Sequence, residues 1–577
     1  MQEEDIVVLK FGSSVLGTAH DLPNVVHEIY RWYRDGHGVV AVVSAFANTT
    51  EHLIQESYAL SVSPEPFAMA ELLATGERTT AALLGIVLDR AGVPARVASP
   101  REIGFEVAGT PLDAEPIALN VARIEELLLA APVLVVPGFF GTDAAGRTHC
   151  LGRGGSDLTA VFLAVALRGR CRLLKDVDGV YESDPAEPCA QPRRLAQLSY
   201  ECALEVASQL IQPKAVTHLK SHNATCEVAA LASPVQSLIS SESRQVADPA
   251  PSARDAPDWS VAQQRRTVVL LGLGTVGSGV YQRLIANGDS FRLLGILVRD
   301  RAKHHVPGIP LELLHSRLDT LRRLKPDLVV DALPGLSPSF ELLQHYLSEG
   351  IDVVTANKAV IAEDGPELTG LARDSGAELR YSAAVGGSAP MLEHCLHHSG
   401  KILSIAAVLN GTCNFVLDAC ARGATLTEAI AEAQRLGFAE SDPTEDLSGR
   451  DAARKLRILA RTAFGVEIPL VLPGLDESVA ASGRAAALTG ERLRQVARVE
   501  RHNGRVIASV TFERVAAGSP FFDLEGEWNA LRLTLATGEI TIVRGRGAGR
   551  WPTSEAVIAD AFDIVRGARA SAPATDR

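Results

Sequence analysis

Twice in this chain an apolar strand pattern runs straight into a glycine-rich turn that opens a helix. In the first, Ile6, Val7, Val8 and Leu9 lead to Lys10, Phe11, Gly12, Ser13 and Ser14. In the second, a strand over 267–271 leads to Gly272, Leu273, Gly274, Thr275, Val276 and Gly277. Glycine brings no Cβ between backbone and ligand, and a helix N-terminus presents unpaired N–H groups, so each turn is built for an anion such as phosphate. Two such turns in a chain of 577 residues call for two sheets, each with its own ligand edge. Short β-branched runs, as at 39–43, 133–136, 328–330 and 351–354, alternate with longer helical patterns. The fold class expected is therefore α/β with largely parallel sheets.

Between the two turns the composition shifts once. Residues 242–264 are rich in Ser, Ala, Pro and Asp without apolar periodicity, and read as a linker. The expected organisation is 1–241, a linker at 242–264, a dinucleotide-binding part at 265–390, a second part at 391–567 and a frayed tail at 568–577. The net charge of −13 makes nucleic acid and anionic membranes poor partners and points to small-molecule substrates. Eight cysteines without a C-x-x-C pair suggest neither a zinc ribbon nor a disulfide framework. With an acidic start and no apolar run of about 18 residues, the expectation is a cytoplasmic protein without signal peptide or membrane span.

In the first half, Lys10 would offset phosphate charge beside Gly12 and Ser13. A second loop, Leu151, Gly152, Arg153, Gly154, Gly155, Ser156 and Asp157, precedes a helical run at 158–167. Arg153 can grip a carboxylate in a bidentate fork, and Asp157 can orient a lysine or a metal. A third segment, Lys175, Asp176, Val177, Asp178, Gly179, Val180 and Tyr181, follows a short strand. This ordered set, with V-S-A at 43–45, T-G-E at 75–77 and V-P-G-F at 136–139, resembles the aspartate kinases of the amino-acid kinase family. The resemblance covers about residues 5–240. It implies transfer of phosphate from ATP, with Mg²⁺, to aspartate. Lys10, Gly12 and Ser13 would meet the phosphates, and Lys175, Asp176 and Tyr181 would border the nucleotide. Ser44, Thr50, Glu77 and Arg153 would hold aspartate, and Asp157 would organise the transfer. Ser13 stands where that family has a second glycine. If the backbone there needs positive φ, a serine is costly. The alternative is a kinase-like half without catalysis, serving interaction or regulation.

In the second half, the turn at 272–277 is followed by a helical pattern at 276–284 and a strand at 292–298, the pattern of a dinucleotide site. Arg299, after that strand, favours the 2′-phosphate of NADP; Asp300 beside it leaves NAD open. Thr355, Ala356, Asn357 and Lys358 close another strand at its carboxyl edge. Residues 381–390 read as a strand into a glycine-rich turn whose carbonyls could hold a hard cation. Asp451 and Lys455, at i and i+4 on one helix face, form a credible proton-transfer pair. His394 and His398 also share a helix face, and read as a solvated surface rather than a metal site.

The motifs G-L-G-T-V-G, T-A-N-K, A-V-G-G-x-x-P, N-G-T, G-F-A-E-S-D-P and D-x-A-R-K, in this order, resemble homoserine dehydrogenase over about 265–565. The resemblance implies a Rossmann domain with an α+β substrate and dimerisation domain, and interconversion of aspartate semialdehyde and homoserine with NADP. Gly272, Gly274, Thr275, Val276, Gly277, Arg299, Thr355 and Lys358 would bind the dinucleotide. Lys455 would be the acid/base, with Lys358 close to the reacting centre. Glu440 would take the substrate ammonium, Asp446 and Asp451 would flank the site, and carbonyls of Val385, Gly387 and Ala389 would hold a sodium-like monovalent cation. Together the halves resemble a fused aspartate kinase and homoserine dehydrogenase serving threonine and methionine synthesis, expected as a homodimer or tetramer. The short linker leaves no room for the ACT regulatory modules usual in such fusions, so feedback through them is not expected.

Overall fold

The computed structural model describes residues 5–567 except 184–191, 209, 234, 243–244, 247–264, 302–307, 470–471, 473 and 503. The expected tail at 568–577 lies outside the described residues, as does the linker apart from 242 and 245–246. The chain divides into two compact units, an N-terminal one of residues 1–90 and 94–259 and a second one of residues 91–93 and 260–577.

The N-terminal unit is organised by a ten-stranded sheet. Ile6–Phe11 lies at its middle, parallel to Gly38–Val43 on one side and Arg170–Lys175 on the other. The sheet continues through Val133–Pro137 to Ala95–Val97 in one direction. In the other it runs through Cys226–Ala230, Ser237–Ser240 and Arg194–Ser199 to Val180–Tyr181, with Gln245–Val246 also paired to Arg194–Ser199. The central strands are apolar without alternation because both faces are covered. Ile6, Val8, Val40 and Val42 pack with Leu158 and Val161 of the helix Gly155–Leu167 and with Leu219 of Pro213–His222. Val7, Leu9 and Phe11, on the opposite face, are equally inaccessible. A four-stranded sheet, Asp113–Ala118, Glu106–Thr110, Phe140–Thr142 and Thr148–Cys150, stands beside it.

The second unit joins two different sheets. Six parallel strands run in the order Leu314–His315, Phe291–Leu297, Arg266–Leu271, Leu328–Asp331, Asp352–Thr355 and Leu379–Arg380. Five antiparallel strands run Arg505–Val515, Arg492–His502, Ile402–Val408, Trp528–Leu535 and Ile540–Arg546. The helix Arg550–Val565 then returns to the parallel sheet, where Val557, Ala561 and Phe562 pack with Val280, Leu284 and Phe291. A buried ion pair, Arg283 to Glu555 at 3.2 Å, ties it to the helix Thr275–Ala286. Truncating a buried aromatic such as Phe562 to Ala costs about 3–5 kcal/mol in such a core.

One expectation is corrected here. Residues 381–390 do not begin as a strand: the strand stops at Arg380 and Ser382–Ala384 form a 3-10 turn. The backbone N–H and hydroxyl of Ser382 donate to the Asp560 carboxylate at 2.9 and 2.8 Å, so this N–H is committed to a side chain rather than to a neighbouring strand. Among the described residues no helix is long and apolar enough to cross a membrane, and the described cysteines are free thiols.

Candidate functional site

Each unit carries a buried aspartate held between two lysines. In the N-terminal unit Lys10 ends the central strand region and Lys175 closes the adjacent parallel strand, so both side chains leave at the same sheet edge. Asp157, in the first turn of Gly155–Leu167, meets Lys10 at 2.7 Å and Lys175 at 3.1 Å. Gly152 and Gly154 both adopt positive φ, +78° and +74°, and fold the loop so that this helix starts here. Burial, and the neighbouring Lys175, push the Lys10 ammonium down to about 8 against the pull of Asp157. Burial also pushes Asp157 up, but Lys10 and Lys175 outweigh it and hold the carboxyl below its ordinary value. Two cations share one anion, so the cluster carries a net positive charge suited to phosphate. A Cβ on Gly12 would stand 2.9 Å from the Lys10 Nζ, so glycine keeps the approach to that ammonium open.

Nearby, Ser44 Oγ lies 2.8 Å from Ser156 Oγ. Glu77 accepts the Ala45 N–H at 3.0 Å through one oxygen, while its other oxygen is buried without a partner. Burial raises Glu77 to about 7. Thr50 is half-buried at the start of Thr49–Leu60. Arg153 and Asp176 are exposed, and Tyr181 donates its hydroxyl to Asp178 at 2.7 Å. Ser13 is exposed and does not adopt positive φ, so the serine introduces no backbone strain.

In the second unit the glycine turn has the form a dinucleotide needs. Gly272 adopts φ +96°, and nothing lies within 4 Å of a Cβ built on Gly274. A Cβ on Gly277 would fall 2.1 Å from the Gly272 carbonyl, so the helix can start this close to the turn only with glycine there. The first-turn N–H groups of Thr275–Ala286, from Thr275, Val276 and Gly277, face the turn as orphan donors. Arg299 is exposed just beyond the strand Phe291–Leu297.

Two strands along the same sheet, Thr355 leads through Asn357, which caps the helix Lys358–Ser375, to Lys358. Lys358 pairs with one oxygen of Asp451, and Lys455 meets the other at 2.9 Å. Lys455 also donates to the Leu409 carbonyl at 2.6 Å. Burial pushes Asp451 up, yet Lys455 and Lys358 hold it well below the carboxylate range. Burial likewise lowers Lys358, but Asp451 lifts it above its ordinary value. Asn410 was legible only as part of N-G-T. Its amide donates to Asp446 at 2.7 Å and to Asp451 at 2.9 Å, so it binds the two acids into one cluster. Thr412 adds a hydroxyl to Asp446 at 3.1 Å. Glu440 is not brought into this network: it is exposed, its backbone carbonyl accepting from Gln434.

Val385 and Ala389 are buried in the loop where Gly386 and Gly387 adopt φ +87° and +58°, and the Ala389 carbonyl accepts the Met391 N–H at 2.7 Å. Among the described residues no group of three or more His, Cys, Asp or Glu is placed to hold a metal ion. His394 and His398, both half-buried, have ring centres 6.4 Å apart, and burial lowers His394 to about 4.

A parallel sheet with a glycine turn and a lysine–aspartate cluster beyond its carboxyl edge defines a dinucleotide-dependent oxidoreductase. Residues 272–382 match the NAD binding domain of homoserine dehydrogenase, residues 390–562 match homoserine dehydrogenase itself, and residues 5–229 match the amino acid kinase family. The homoserine dehydrogenase of Corynebacterium glutamicum is 32% identical over 318 residues, covering 52% of this chain and 72% of the relative. That of Bacillus subtilis is 32% identical over 322 residues, covering 52% and 73%. A crystal structure of the Thiobacillus denitrificans enzyme aligns with a TM-score of 0.49 at 31% identity, covering 53% of this chain and 75% of that one. The chain belongs to the homoserine dehydrogenase family, with an amino acid kinase domain fused ahead of the dehydrogenase domains.

Proposed function

We propose that the second unit interconverts L-homoserine and aspartate semialdehyde, and that the first phosphorylates L-aspartate with ATP. The dehydrogenase reading rests on one observation: Asp451 is gripped by both Lys358 and Lys455 beyond the carboxyl edge of the dinucleotide sheet. When bound across Gly272, Gly274, Thr275, Val276 and Gly277, the dinucleotide supplies or accepts the hydride. Arg299 favours NADP, with NAD as the alternative. Lys455, buried and held by Asp451 and the Leu409 carbonyl, is ready to give a proton to the forming alkoxide or take it from the homoserine hydroxyl. Lys358 holds positive charge beside the reacting oxygen, and Asp451 keeps both ammonium groups oriented, with Asp446 tied to it through Asn410 and flanking the substrate. Glu440, which is exposed, would take the substrate ammonium. The buried carbonyls of Val385, Gly387 and Ala389 would hold a monovalent cation such as Na⁺ and steady the loop. Homoserine-dependent reduction of NADP⁺, lost in Lys455→Ala, is the expected result; unchanged turnover in that variant would sink the assignment.

For the first unit, the net positive Lys10–Asp157–Lys175 cluster supports phosphoryl transfer. Lys10 and Lys175 would neutralise phosphate charge on ATP, with Mg²⁺ adding to it, and Asp157 fixes both lysines. Gly12, Ser13, Asp176 and Tyr181 would border the nucleotide. The unpartnered oxygen of Glu77 suits an amino-acid ammonium, with Ser44 and Thr50 beside it and Arg153 free to fold over the carboxylate. Aspartate-dependent hydroxamate formation with ATP by the full chain, abolished in Lys10→Ala, is expected. No such activity in the unmodified protein would favour the other reading, a non-catalytic interaction or regulatory module. In cells we place the protein as a cytoplasmic homo-oligomer, dimer or tetramer, acting in threonine and methionine synthesis without nucleic-acid or membrane partners. Light scattering on the purified chain tests the assembly.

A further inference from the structure

Asp331 lies at the carboxyl end of the strand Leu328–Asp331, between the strand that carries the glycine turn and the strand that delivers Lys358. It is 0% exposed, and among the described residues no lysine or arginine pairs with it. Its carboxylate instead accepts three neutral donors. Ser339 Oγ donates at 2.6 Å and Thr355 Oγ1 at 2.8 Å to one oxygen, and the Leu333 N–H at 3.0 Å to the other. A buried acid without a countercharge is costly, so the fold must gain from the geometry that these bonds impose.

That geometry reaches the active site in two short steps. Thr355, while donating to Asp331, accepts the Asn357 N–H at 2.9 Å. Asn357 in turn accepts the N–H groups of Ala359 and Val360, starting the helix whose first residue is Lys358, and donates to the Gly335 carbonyl at 2.7 Å. The Asp331 carbonyl also accepts the Ala356 N–H at 2.9 Å. The loops after two neighbouring strands are thus locked to each other through one carboxylate, and Lys358 leaves the locked segment towards Asp451. On the other side, the chain after Asp331 runs against the glycine turn: a Cβ on Gly272 would lie 2.9 Å from the Ala332 carbonyl.

We propose that Asp331 is a positioning residue of the dehydrogenase, which sets the Thr355–Asn357 corner and through it aims Lys358 at the reacting end of the dinucleotide. The inference rests on the dehydrogenase reading above. The adenosine end of a bound dinucleotide would lie towards Phe291–Leu297 and Arg299, because that strand flanks the glycine turn on one side. The reacting end would lie towards Asp331 and Thr355 on the other. A change at Asp331 therefore acts on one end of the cofactor and not the other.

Asp331→Asn tests this, since the amide keeps the shape but can accept at only one of its two positions. Steady-state oxidation of homoserine and calorimetric binding of ADP-ribose, which lacks the nicotinamide, are measured on the same preparations. The expected result is a fall in kcat on the order of 10²-fold, as misplacement by about 1 Å produces, with ADP-ribose affinity within about twofold of the unmodified protein. Wild-type kcat in the variant would overturn the proposal. So would parallel loss of turnover and ADP-ribose binding, which would make Asp331 a general support of the domain. Failure of the unmodified protein to oxidise homoserine would instead overturn the dehydrogenase reading, and is read from the control.

Discussion

The two lysine–aspartate–lysine clusters are built alike and charged differently. In both, the aspartate sits in the first turn of a helix, where the helix dipole favours an anion. In the N-terminal unit both lysines come from adjacent strands and are buried, and a single carboxylate serves them. In the second unit Lys455 shares the aspartate's own helix, Lys358 is 42% exposed, and Asp446 adds a second acid through the Asn410 bridge. One cluster is therefore net positive, which is the charge the proposed phosphate transfer calls for. The other is close to neutral, which suits a substrate that exchanges a hydride and a proton without bringing net charge to the reacting carbon. The same local motif is steered to different chemistry by the number of acids around it.

The largest test of this contrast is Lys455→Ala. Loss of a positioned acid/base should lower homoserine oxidation by about 10²–10⁴-fold while ATP-dependent phosphorylation of aspartate stays unchanged. Next comes the pair of aspartates. Asp157→Asn leaves two buried lysines facing each other and should destabilise the first unit by about 3–5 kcal/mol, seen in calorimetry. Asp451→Asn should cost the second unit less, about 1–3 kcal/mol, because Lys455 keeps the Leu409 carbonyl and Lys358 reaches water. Equal losses would mean that the clusters are not differently charged.

Glu77 offers a smaller effect with a distinct pH signature. Its folded value of about 7 lies above the ordinary 4.5, so between these pH values the folded state holds a proton that the unfolded state has lost. Stability of the first unit should therefore fall as pH rises from about 4.5 to about 7 and level off above it. The full cost is roughly 3 kcal/mol. Glu77→Gln should remove that slope and raise the first unit's melting transition at pH 8, at the expense of aspartate affinity. A slope unchanged by the substitution would show that another group titrates. The smallest change expected is from Ser13→Gly. Because Ser13 is exposed and free of positive φ, the substitution should cost only about 0.5–1 kcal/mol of chain entropy and leave phosphorylation nearly unaltered. A large gain in activity would show that the serine does obstruct the phosphates.

What could be read from sequence was what lies close in sequence. The glycine turns were legible because φ and close approach are local demands, and Gly272 and Gly277 meet them. Asp451 and Lys455 were legible from helical spacing alone. The bond from Lys358 to Asp451 spans 93 positions: resemblance put each residue near the site, and only the fold joins them. The Asn410 bridge and Asp331 were missed for the same reason, although N-G-T marks Asn410 and an acid closing an otherwise apolar strand such as Leu328–Asp331 is a signal in itself. The misjudged strand at 381–390 also has a distant cause, since the carboxylate that holds Ser382 arrives 178 residues later. Arg153 and Glu440, drawn from family resemblance, both stand exposed.

The helix Arg550–Val565 has a consequence for synthesis on the ribosome. The strand Arg266–Leu271 emerges early in the second unit, but Val280, Leu284 and Phe291 beside it gain their covering only when Val557 and Phe562 have been made. At about 5–20 residues per second, the intervening ~280 residues take roughly 15–60 s. For that interval the nascent dinucleotide sheet shows an uncovered apolar face, while the N-terminal unit already has every strand of its main sheet. A pause or ribosome-bound chaperone contact in this window should matter far more to the yield of dehydrogenase than to that of the kinase domain.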